Sequence, residues 1–162
     1  MRYFKSLFFW AKNSLFKAKK VVQIGASLPA YYKIAMSEIG VLEYPGDKHN
    51  PRIIEYHSHT NLKATTDEVP WCASFVCWCL DQAGYNHPHS ASARSFLDWG
   101  NHCEATEGCV VVLSRPPNDW SGHVGFFVKR NRKYVWLLGG NQSNRVGIQK
   151  YHLSRVLDYR KL

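Results

Sequence analysis

The chain has 162 residues, 45% of them apolar and 14% aromatic, which suits one domain with a core of its own and excludes a disordered polymer. Its formal net charge of +9 and pI near 9.4 call for an anionic partner, such as an acidic membrane surface or an acidic polymer. Nucleic acid is not expected, because no nucleic-acid motif occurs and the basic residues are scattered beyond position 20.

Residues 1–24 stand apart. Tyr3, Phe4, Leu7, Phe8, Ala11, Leu15, Ala18 and Val22 recur at helical spacing, while Arg2, Lys5, Lys12, Lys17, Lys19 and Lys20 fall mostly elsewhere on the wheel. The segment is predicted to be a basic amphipathic helix, suited either to an anionic membrane or to docking on a protein such as a particle subunit. Lys12 interrupts any secretory h-region, and the stretch is too short and too charged to span a bilayer. Residues 1–28 are therefore read as helix plus linker, and 29–162 as the globular domain.

A helix is expected from Pro29, with Tyr31, Ile34, Ala35 and Ile39 on one side. Glu43–Asp47 is a turn. Asn50-Pro51 reads as an N-cap followed by proline at the first helical position, opening a short helix through Tyr56. Residues 57–67 are expected to be a polar loop. A second apolar helix begins at Cys72, runs to Ala83 and stops at Gly84. A further short helix covers Ser92–Trp99. The pattern then changes to strands: Cys109–Leu113, a hairpin of His123–Val128 with Tyr134–Leu138, then Val146–Gln149 and Val156–Tyr159. Helices first and an antiparallel sheet second make an α+β fold.

Five cysteines occur, at 72, 77, 79, 103 and 109. Cys77 and Cys79 lie within the apolar helix and read as small buried hydrophobes. Cys72 differs, because it opens that helix. The free N–H groups and positive dipole end there favour a thiolate. The cysteines are expected to be reduced, with a Cys103–Cys109 bridge as the alternative. His123, between Gly122 and Val124 at a strand entry, is a base for the thiol proton. Asn141, after the next strand, is a side chain able to hold the imidazole in one tautomer. If Val128 pairs with Tyr134, His123 falls opposite Gly139 and Asn141 lies just beyond. Cys72, His123 and Asn141 in that order are the parts of a papain-like nucleophilic site. His57, His59, His87 and His89 read as solvated loop residues, since no cysteine or acid completes a zinc set with them. No metal and no organic cofactor is expected.

The motifs Glu38-Ile39-Gly40, Glu43-Tyr44-Pro45-Gly46, Asn50-Pro51-Arg52-Ile53, Pro70-Trp71-Cys72-Ala73-Ser74-Phe75-Val76, Ala93-Arg94-Ser95, Gly122-His123-Val124-Gly125-Phe126 and Leu138-Gly139-Gly140-Asn141-Gln142, in this order, resemble the small NlpC/P60- and CHAP-like cell-wall peptidases, and more narrowly a subgroup common in bacteriophages and bacterial genomes. The resemblance covers roughly residues 30–162. It implies a papain-like fold and hydrolysis of an amide or peptide bond in peptidoglycan, with Cys72 as nucleophile, His123 as base and Asn141 at the polar third position. It further implies a phage lysin, a virion-associated lysin or a bacterial antagonist effector. Such a protein works in the host cytoplasm and then the periplasm or cell wall, or on the virion. A non-enzymatic virion or envelope-binding protein retaining the fold is the alternative. One departure is Gly108-Cys109, where the family usually has Gly-Asp.

Overall fold

The computed structural model describes residues 28–162. The predicted basic helix of residues 1–24 lies outside the described residues. Three α-helices come first: α1 (Ala30–Ser37), α2 (Pro51–Ser58) and α3 (Cys72–Gln82). A 3-10 helix, Ala93–Asp98, leads into six strands: β1 (Asn101–His102), β2 (Val110–Arg115), β3 (Asn118–Arg130), β4 (Tyr134–Gly139), β5 (Gly147–His152) and β6 (Val156–Lys161), with the 3-10 turn Leu153–Arg155 between the last two. The strands form one antiparallel sheet in the order β1-β6-β2-β3-β4-β5. The α+β layout with helices preceding an antiparallel sheet is the expected one.

Local signals account for the helix ends. The Asn50 side chain accepts from the Arg52 backbone N–H at 2.9 Å, with Pro51 at the first helical position. α3 closes at Ala83, and Gly84 follows in the left-handed region at φ +76. Helix α2 runs two residues past Tyr56, so His57 lies inside it and not in a loop. The predicted helix of Ser92–Trp99 is present as a 3-10 segment.

Strand alternation builds two apolar clusters. Val110, Val112, Val124, Phe126 and Leu138 pack with the helices, where Phe75, Val76, Tyr31 and Tyr56 meet them. Val111, Leu113, Phe127, Val135 and Leu137 face the other way, with Cys103 and Cys109. Both faces of β2 are thus covered, which explains its unbroken apolar run.

The hairpin register differs from the expected one. Phe126 pairs with Leu138 and Phe127 with Leu137, then the register shifts so that Lys129 faces Trp136. Val128 is the extra residue of a bulge. The expected Val128–Tyr134 pairing is absent because the strands continue into the polar turn, where Arg130 pairs with Val135, so the His123–Gly139 pairing counted from it is displaced.

The loop after β4 comes very close to the helices. A Cβ placed on Gly140 would lie 2.5 Å from the Trp71 ring and 2.7 Å from the Phe75 Cβ. Only glycine fits there. This approach brings residues 141–142 of the loop to the start of α3.

Candidate active site

Cys72 is the first residue of α3, after Trp71 at the cap position. The approach to it is pinned from two directions. Trp71 donates its indole N–H to Glu43 Oε1 at 2.7 Å. Asp67 is fully buried and accepts from the backbone N–H groups of Tyr44 at 3.0 Å and Asn50 at 2.8 Å, with His49 Nδ1 at 2.9 Å. Those bonds hold the Asp67 carboxyl below its ordinary range against the opposing effect of burial. The loop that delivers Cys72 is therefore tied to the α1–α2 connection.

The Cys72 thiol is 6% exposed and lies against the backbone of Val124, the neighbour of His123 in β3. Burial pushes the thiol pKa up. The backbone groups of Val124, Ala73 and Cys72 itself, and the positive charge of Arg115, oppose this without overcoming it. The helix end acts in the expected direction, yet burial is the larger effect, so the free thiol is protonated at neutral pH.

His123 is 1% exposed. Its imidazole is pushed from 6.5 down to about 4, first by burial and also by the charges of Arg115 and Arg155, against the raising effect of Gln142. Burial thus favours the neutral form of each group, and the link between them is through the backbone: the thiol meets Val124, next to His123 in β3, and no direct thiol–imidazole hydrogen bond forms among the described residues.

The tautomer follows from hydrogen bonding. The Gln142 amide nitrogen donates to the Leu137 carbonyl at 3.1 Å and also to the Gly147 carbonyl. Both amide protons are used, so Gln142 Oε1 is the atom turned to the ring, 3.1 Å from His123 Nε2. An acceptor there requires the proton on Nε2. Nδ1 then keeps its lone pair, which is the form a base needs. Tyr151 closes a triangle: its hydroxyl lies 3.1 Å from His123 Nε2 and donates to Gln142 Oε1 at 2.8 Å.

The position at the ring that the sequence reading assigns to Asn141 is therefore occupied by Gln142. Asn141 sits one residue earlier at φ +53, in the left-handed region, and its side chain lines an open cleft of about 340 Å³. Arg115, Pro116, Ser143, Gln149, Tyr151 and Arg155 line the same cleft. Loop conformation decides this: a run of left-handed residues, with Ser143 at +57 and Asn144 at +59, turns adjacent side chains to opposite sides. Gln142 stands beside Asn141 in the sequence, but nothing in composition or spacing says which of the two faces the ring. Tyr151, Arg115 and Arg155 carry no motif by which the sequence marks them.

Residues 64–141 match the CHAP domain. The matched stretch of the CHAP domain includes Cys72, His123 and Asn141 and ends one residue before Gln142. No match was found among curated proteins or among solved structures.

Two groups of histidines require correction. His57 and His87 are buried, not solvated: His57 Nδ1 lies 3.0 Å from Ser74 Oγ, and the His57 pKa is lowered mainly by burial. The acid missing from the sequence pattern is Asp81, since ligand atoms of His59, Asp81 and His87 lie within 4.8 Å of one another. His59 Nδ1 approaches Asp81 Oδ2 at 3.1 Å. His87 Nδ1, however, accepts from the His89 backbone N–H at 3.2 Å, which puts its proton on Nε2, facing Asp81. As arranged, the trio shares protons with a carboxylate and does not offer three lone pairs to a cation. All five cysteines are free, so the alternative Cys103–Cys109 bridge is absent.

Proposed function

We propose that this protein is a peptidoglycan hydrolase that cuts an amide or peptide bond of the stem peptide through Cys72. The CHAP domain supports a peptidoglycan amidase or peptidase in general. The observation that carries the finer reading is the locked tautomer of His123: Gln142, its amide committed to two backbone carbonyls, leaves His123 with Nδ1 free as a base.

The steps follow from the groups present. As sulfur attacks the amide carbonyl, the Cys72 proton passes to His123 Nδ1. Because both partners start neutral, charge separation develops along with the attack. Nε2–H stays on Gln142 and Tyr151, which stabilise the imidazolium as it forms. The backbone N–H of Cys72, at the positive end of α3, holds the developing oxyanion. His123 then returns the proton to the leaving nitrogen, and a thioester remains. Water, deprotonated by His123, releases it. Gln142 takes the orienting role, and Asn141 contacts substrate in the cleft.

The biological setting we favour is a phage lysin or a lysin carried on the virion. The +9 charge and the basic segment 1–24 support attachment to an anionic envelope, either directly at a membrane or through a particle subunit. Zymography on purified peptidoglycan tests the activity. The wild-type chain is expected to clear the wall and folded Cys72→Ser to leave it intact; clearing by folded Cys72→Ser would refute the nucleophile. Mass spectrometry of released fragments identifies the bond.

A further inference from the structure

The cleft beside His123 is lined by two arginines and by no acid. Arg155 is fixed in place: its Nε donates to the Ser114 carbonyl at 2.9 Å, and its guanidinium carbon lies 5.1 Å from the centre of the Tyr151 ring. That leaves its two terminal nitrogens without a protein acceptor among the described residues. The Arg115 guanidinium donates to no protein group among the described residues. Neither arginine forms an ion pair there, and residues 1–27 contain no Asp or Glu that could supply one. Arg52 is paired with Glu38 and Glu55, and Arg160 with Asp158; the remaining described arginines are likewise without an ion pair, so what sets Arg115 and Arg155 apart is that both line one cleft. Two cations that face one cleft, one of them pre-oriented by a backbone carbonyl and an aromatic ring, are the donors a planar anion requires. Asn141, Ser143 and Gln149 add uncharged polar groups to the same walls. Tyr151 connects the cleft to the chemistry, since its hydroxyl lies 3.1 Å from His123 Nε2.

We propose that Arg115 and Arg155 form a carboxylate-binding subsite, so that the amide offered to Cys72 must be flanked in the substrate by a free carboxylate. This inference rests on the hydrolase reading above and narrows its substrate class: stem peptides with an ionised carboxyl beside the scissile bond are accepted, and those carrying a carboxamide at that position are refused. A guanidinium loses a charge-assisted bond when the carboxylate becomes an amide, which corresponds to a discrimination of about tenfold or more.

The test separates binding from hydrolysis. A synthetic stem peptide with all its carboxylates free, and copies in which each in turn is a carboxamide, are titrated calorimetrically into the full-length Cys72→Ala protein. The free-acid peptide is expected to bind about tenfold or more tightly than one particular carboxamide copy, with a preference that declines as salt is raised. Arg115→Gln and Arg155→Gln, each made in the Cys72→Ala protein, should both erase that preference. Arg115→Gln removes no bond within the protein, so it remains informative if loss of the Ser114 contact harms the fold of Arg155→Gln. Equal binding of all the peptides, binding of none, or a preference that survives Arg115→Gln would overturn the subsite. In parallel, the wild-type chain is incubated with purified peptidoglycan. Selective binding without wall cleavage would sink the hydrolase reading and leave the subsite standing; cleavage without selectivity would do the reverse.

Discussion

The two sides of the site are held by different kinds of group. Around Cys72 the hydrogen-bonding neighbours are main-chain, the backbone groups of Val124, Ala73 and Cys72, with the charge of Arg115 acting beside them. Around the His123 ring they are side chains, Gln142 and Tyr151, reaching from the β4–β5 loop and from β5. Main-chain donors survive almost any substitution that preserves the fold, whereas side-chain acceptors do not. Sensitivity to mutation should therefore concentrate at Cys72 itself on the thiol side and spread over several residues on the imidazole side.

The largest expected effect tests the thiol side. Cys72→Ala should lower wall hydrolysis by about 10⁴-fold or more while leaving the melting temperature near that of the wild type. Neither Cys77 nor Cys79 can substitute, since both lie inside α3 with thiols pushed up by burial, to about 12 at Cys77. Alkylation sharpens the point. The helix end alone predicts labelling of Cys72 at mildly acidic pH, whereas its burial predicts slow labelling there that accelerates as the solution becomes alkaline.

Next in size is a pH effect on stability from the imidazole side. His123 titrates at 6.5 in the unfolded chain and at about 4 when folded, because burial disfavours its cation. Between those values the unfolded state binds a proton that the folded state refuses. Stability is thus fully present above about 6.5 and falls as the pH drops toward 4, by roughly 3 kcal/mol. Denaturant midpoints measured across this range should fall less steeply for His123→Ala than for the wild type. Parallel slopes would show that His123 is not neutral in the fold.

The third comparison sets Gln142 against Asn141. Gln142→Ala removes the acceptor that holds the Nε2 proton, so kcat should fall by about 100-fold, by analogy with other lost imidazole-orienting groups. Asn141→Ala should raise KM and change kcat little, as befits a cleft residue. The opposite ranking would restore Asn141 to the ring. The smallest effect is structural. Gly140→Ala forces a methyl into Trp71 and Phe75 and should cost about 2 kcal/mol, seen as a lower melting temperature with activity reduced in step.

Much of the chain was legible from local signals. Asn50-Pro51 announces a helix because the cap and the fixed proline φ act within three residues. Cys72 at a helix start, and the strand character of β2 and β3, follow equally from neighbouring residues. Such features depend on interactions that the chain makes with itself over a few positions, so the amino-acid sequence by itself determined them. The hairpin register was not legible, because β3 continues into the polar Lys129–Arg130 stretch, so that Arg130 and not Val128 pairs at the turn, and a bulge at Val128 shifts the ladder by one step. Nor was the choice between Gln142 and Asn141, which depends on left-handed backbone at 141, 143 and 144 and on Gly140 pressing against Trp71. The ionisation of the pair also had to await the fold: a helix end favours thiolate wherever it lies, but the burial that outweighs it comes from strands more than 40 residues downstream. The same holds for the arginine cleft, where Arg115 and Arg155 are brought together from β2 and from the turn before β6. Chain order and helix ends are one-dimensional properties, whereas desolvation and the convergence of like charges arise only when distant segments exclude water together.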